Sequence, residues 1–128
     1  MRIRMLIITA IAPVALAACA KQLQAPADHG VCWHLVQPPG GAAKFNRLAD
    51  NQPDLEHCAA QLEIMRLHFR ALGATQEEVT GAYQGQFLFL QPEGVFTAPS
   101  YKGYRFPFMV RTGDGRLAVP GAMPQTPQ

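Results

Sequence analysis

Residues 52–72, QPDLEHCAAQLEIMRLHFRAL, decide the architecture. Leu55, Cys58, Ala59, Leu62, Met65, Phe69 and Leu72 recur at the three- and four-residue spacings of one helical face. The stretch therefore predicts a long amphipathic helix from about Gln52 to Leu72. Its ends carry matching signals. Asn51 can cap, Pro53 is tolerated in the first turn, and Asp54 and Glu56 suit the positive end of the helix dipole. His68 and Arg70 suit the negative end, before Gly73. The opposite face, with His57, Gln61, Glu63, Arg66 and Arg70, reads as solvated, and Glu63 can pair with Arg66 one turn on.

A single amphipathic helix needs another layer to cover its apolar stripe, and the flanking sequence supplies strands. Upstream, Val31-Cys32-Trp33-His34-Leu35-Val36 alternates between two faces, and Gln37-Pro38-Pro39-Gly40-Gly41 stops it. Lys44 to Leu48 reads equally as a short strand or a loop. Downstream, Val79 to Leu90 reads as one long or bulged strand, in which Gly81 and Gly85 mark a bulge, a bend or the close approach of another backbone. Gln91-Pro92-Glu93-Gly94 turns into Val95-Phe96-Thr97. Tyr104 to Thr112, interrupted by Pro107, pairs with Arg116 to Val119 across Gly113-Asp114-Gly115. The expected fold class is α+β: a small antiparallel sheet of about four strands with one long amphipathic helix packed on one face. No internal repeat is visible.

The N-terminus has a different character. Arg2 and Arg4 precede an apolar run, Met5 to Leu16, which ends in Leu16-Ala17-Ala18-Cys19. The run is shorter than the ~20 residues of a spanning helix and contains Pro13. A basic start, a short apolar core, small residues and a cysteine resemble the signal peptide of bacterial lipoproteins. The resemblance covers residues 1–19 and implies cleavage before Cys19, a diacylglycerol thioether on its sulfur and an acylated amino terminus. One acyl chain holds a protein only marginally, whereas two or three anchor it stably. The non-acidic Ala20 implies, by the same resemblance, the inner leaflet of an outer membrane, facing the periplasm. The competing reading is an ordinary secretory leader cleaved after Ala15-Leu16-Ala17.

Four segments follow: a removed signal peptide (1–18), a lipidated flexible tether (19–30), a single α+β domain (31–119) and a disordered, proline-rich tail (120–128). Loss of Arg2 and Arg4 with the leader reduces the eleven basic residues to nine, equal to the nine acidic ones. The formal charge of +2 thus resides in the leader, and the mature chain has no basic excess with which to attract nucleic acid.

With Cys19 assigned to lipid, Cys32 and Cys58 remain in a compartment where disulfides persist, and a bond between them is expected. The alternatives are free thiols or a metal site using Cys32 with His34 and His57 with Cys58. Those spacings fit neither C-x₂₋₄-C nor H-x₃₋₅-H, so no metal and no cofactor is expected.

Catalytic constellations are thin. Ser100, the only serine, lies outside any G-x-S-x-G elbow, and Asp28-His29 falls in the tether. His57 and Cys58 are adjacent, but neighbouring helical side chains do not face each other. The most suggestive strip is Tyr101-Lys102-Gly103-Tyr104-Arg105-Phe106-Pro107-Phe108, which interleaves aromatic and basic groups. Tyr101, Tyr104 and Arg105, joined by Trp33, are the candidate ligand-binding residues for a glycan, peptide or lipid. The competing reading places Tyr104, Phe106 and Phe108 together in the core. The function expected overall is a non-catalytic envelope lipoprotein, held to the membrane by lipid and acting as an accessory module for an envelope protein partner.

Overall fold

A computed structural model describes residues 22–120. Its elements in chain order are β1 (Cys32–Val36), β2 (Lys44–Ala49), α1 (Leu55–Ala71), β3 (Val79–Tyr83), β4 (Gln86–Gln91), β5 (Gly94–Ala98), β6 (Phe106–Arg111) and β7 (Leu117–Ala118). The strands form one antiparallel sheet in the order β2-β1-β3-β4-β5-β6-β7. The class is α+β with one helix, as expected, but the sheet has seven strands rather than about four. Part of the difference lies in the Val79 to Leu90 stretch, which is a hairpin and not one bulged strand. Gln84 (φ 44°) and Gly85 (φ 84°) both adopt the left-handed conformation that a two-residue type I′ hairpin turn requires. Residues 44–49, ambiguous in the sequence, pair with β1 at the sheet edge.

The helix starts later than the sequence suggests. Asp54, not Asn51, is the cap, and its carboxylate accepts the His57 backbone N–H at 2.8 Å. Asn51 lies ahead of the cap with φ 53°. At the other end Gly73 takes φ 89°, which lets the Ala74 N–H reach the Phe69 carbonyl at 3.0 Å and close the last turn.

The buried stripe of α1 contains the centre of the one the apolar spacing predicts, with Leu55 and Phe69 packed on the same core, but it widens to take in two charged residues. Cys58, Ala59, Leu62, Glu63 and Arg66 are buried, whereas Leu72 is 73% exposed. Leu62 sits on Gly81, where an added Cβ would meet its side chain and lie 2.5 Å from the Trp33 carbonyl oxygen. The lack of a side chain on β3 is thus what lets the helix approach the sheet.

Both faces of the sheet carry apolar clusters. Alternation along β4 sends Leu88 and Leu90 to the α1 side, with Ala59, Leu62, Val95 and Met109, and sends Phe87 and Phe89 to the other side, with Ala98, Phe45, Phe96 and Tyr101. All four β4 side chains are fully buried. The second face is covered partly by the N-terminal segment, since Leu23 and Ala25 pack on its cluster. Where a flexible tether was expected, Pro26 accepts the Gly85 N–H at 2.9 Å and Gly30 accepts the Gln52 N–H at 2.8 Å. Gly30 in turn donates to the Gln84 side-chain carbonyl at 2.9 Å. The leader with its Leu16 to Cys19 motif, and the tail beyond Pro120, lie outside the described residues.

Cys32 and Cys58 are disulfide-bonded, with Cα atoms 5.2 Å apart. The bond fixes β1 to the first turn of α1, and both residues are fully buried.

Candidate functional site

The aromatic and basic strip is divided by the fold. Tyr101 turns back onto the second face, 5.8 Å from the Phe87 ring and 6.0 Å from the Phe89 ring. Arg105 lies with its guanidinium carbon 3.5 Å from the Phe89 ring centre, and its Nη1 is 3.0 Å from the Glu78 carboxylate. Tyr104 points away, 73% exposed, with its ring 4.8 Å from that of Phe106 in an edge-on pair. The expectation that Tyr104, Phe106 and Phe108 share a core face is not met. A register irregularity between β5 and β6 leaves Phe106 exposed and turns Phe108 towards the α1-side core. Trp33 is on β1 beneath Arg47, whose guanidinium carbon is 5.3 Å from the ring, and its buried indole N–H has no partner.

A depression of about 430 Å³ opens at one end of the sheet, lined by His34, Phe69, Glu77, Glu78, Thr80 and Tyr101 among others. Burial lowers the pKa of His34 below its ordinary value, and its ring lies 6.0 Å from that of Phe69. His34 does not act with Cys32, whose sulfur is committed to Cys58. His57 is likewise engaged elsewhere, with Nδ1 2.6 Å from Asp54 at the helix start. The side-chain hydrogen bond with His57, then the His57 backbone N–H, holds the Asp54 carboxyl below the usual range. Among the described residues no three His, Cys, Asp or Glu side chains are grouped to hold a metal ion.

The most developed polar site is one the spacing argument assigns to solvent. Glu63 is 8% exposed and Arg66 only 3%. The Glu63 carboxylate accepts from Arg66 Nε and Nη2 at 2.9 and 3.0 Å, and from Arg111 Nη1 and Nη2 at 2.8 and 3.2 Å. Each arginine thus presents a two-pronged fork to one carboxylate. Arg111 also donates from Nε and Nη2 to the Gln91 carbonyl, at 3.1 and 2.8 Å. The triad therefore joins α1 to β6 and to the end of β4. Burial alone would raise the Glu63 pKa, but the hydrogen bonds and charges of the two arginines outweigh it and hold the carboxyl below its ordinary value. The hydrogen bond to Glu63 is also the main cause that raises Arg66.

Arg66 Nη1 is buried and has no hydrogen-bond partner. Arg66 lines a groove of about 620 Å³ between α1 and the β6–β7 hairpin, whose apolar wall includes Ile64, Leu67, Met109 and Leu117. Ile64 and Leu67 are 63% and 52% exposed.

No family model, curated protein or solved structure matches the chain. The site must be read from its own chemistry. A groove with an aliphatic wall and guanidinium groups beneath it is suited to holding an anion that carries apolar groups, and the two carboxylates on its lining, Glu63 and Asp114, are each engaged by arginine. Of the sequence, only the Glu63 to Arg66 spacing signalled this site; the participation of Arg111, 48 residues away from Glu63, carried no local sign.

Proposed function

We propose that the chain is a non-catalytic envelope lipoprotein, anchored through lipid on Cys19, that works as a small accessory or structural interaction module on the periplasmic side of an outer membrane. The docking role rests chiefly on one observation: Ile64 and Leu67 stand exposed on α1 beside the groove. Large aliphatic groups left in water next to a concave surface are the mark of a contact surface. A buried disulfide is in keeping with an oxidising compartment. No helix among the described residues is long and apolar enough to cross a membrane. Changing Cys19 to Ser is expected to move the protein from the membrane to the soluble fraction and to remove the mass of the acyl groups. Continued membrane attachment of the variant, with no lipid mass on the native chain, would refute the anchor.

The second reading is a ligand-binding lipoprotein that recognises a cell-wall glycan, peptide or lipid. The exposed Tyr104 and Phe106 pair favours it, since edge-on aromatic groups offer a face on which a sugar ring can stack. Trp33, Tyr101 and Arg105 contribute less, because each is already packed on a neighbour.

A further inference from the structure

We propose that the groove between α1 and the β6–β7 hairpin docks a segment of a protein partner that presents a carboxylate flanked by aliphatic side chains. This rests on the reading of the chain as an interaction module and specifies what the module holds. The charge of the groove is unbalanced. Arg66, Arg70, Arg111 and Arg116 line it against only Glu63 and Asp114, an excess of two positive charges. Glu63 is shared by two guanidinium groups, Asp114 lies 3.3 Å from Arg116, and Arg70 makes no ion pair among the described residues.

The unpartnered Arg66 Nη1 is an independent sign. Its burial places it beyond direct contact with a docked segment, but its positive charge, relieved by Glu63 alone, lies under the groove and draws an anion to the exposed Arg70 and Arg116 beside it. A carboxylate is the group whose two oxygens match a guanidinium edge. Ile64, Leu67 and Leu117 lie on the same groove, so the carboxylate must come with aliphatic neighbours.

The position of the N-terminal segment favours a protein over a lipid headgroup. Leu23 and Ala25 pack on the Phe87 and Phe89 cluster, across the sheet from α1. Only residues 20–22 separate Cys19 from Leu23, a reach of roughly 14 Å even when extended. An anchor at Cys19 therefore holds the second face near the membrane and leaves the groove on the far side.

The test uses the mature, acylated chain in detergent micelles, titrated with an acetylated leucine-rich hexapeptide bearing a free terminal carboxylate and with the same peptide amidated. Saturable binding is expected, with methyl NMR shifts at Ile64, Leu67 and Leu117. Affinity should fall at least tenfold on amidation and at least tenfold in Leu67→Asp. That exposed position leaves the core intact, whereas Arg66→Gln risks the fold. Absence of saturable binding, equal binding of the amide, or displacement of the peptide by phosphatidylglycerol added to the micelles would each overturn the proposal. Failure here with the native chain still membrane-bound would leave the anchor standing, so the two readings fail separately.

Discussion

Replacing Glu63 by alanine is expected to destabilise the domain by about 3–5 kcal/mol, because it strands two largely buried guanidinium groups without their shared carboxylate. The side chains of Arg66 and Arg111 are only 4% and 14% exposed, so solvent offers little compensation. The loss reflects the uncompensated charges and not the net worth of the network. Changing Glu63, Arg66 and Arg111 together to apolar residues of similar volume should be close to neutral. The same carboxylate gives the protein an acid limit. Its folded pKa lies below the ordinary value of 4.5, so the unfolded chain binds its proton first as pH falls. Its contribution is fully present above pH 4.5 and is lost as pH drops through the lowered native value. Urea denaturation at neutral and acid pH checks both points. A Glu63→Ala midpoint equal to that of the native chain would contradict the account.

Removing the disulfide should have a comparable effect. Cys32 and Cys58 are separated by 26 positions, and closing a loop of that length stabilises by ~3.5 kcal/mol in the chain-entropy model. The double change Cys32→Ser with Cys58→Ser should therefore lower Tm by on the order of 10–20 °C. The effect is large because a chain of this size buries a modest fraction of its surface and has a small margin to lose. A calorimetric Tm within a few degrees of the native value would show that β1 and α1 are held together by packing alone.

How much was legible in the sequence depended on whether the signal was local. The helix was visible because its apolar period and its capping groups lie within one stretch, although the cap shifted from Asn51 to Asp54. The centre of the face it buries, Cys58, Ala59 and Leu62, was legible, but its extension to Glu63 and Arg66 was not. Glu63 and Arg66 are charged, and their burial depends on Arg111, which β6 brings in from the far side of the sheet. The strand count fell short in part because Gln84 occupies a left-handed turn position that glycine or asparagine usually marks, and in part because Lys44 to Ala49 carries no clear alternation. Alternation in β1 was clear, yet the same rule failed at Tyr104 to Phe108, where a register irregularity resets which residues face inward. The pairing of Cys32 with Cys58 was open to counting, because assigning Cys19 to lipid leaves only two. The groove was not, since it is formed by α1 and a hairpin that starts some 35 residues after the helix ends.

The most direct test of the account is photocrosslinking in living cells, with the reactive side chain placed at Ile64 in one version of the lipidated protein and at Tyr104 in another. A single stoichiometric protein adduct is expected from Ile64 and none from Tyr104. Adducts to wall glycan from Tyr104, with no protein adduct from Ile64, would contradict it.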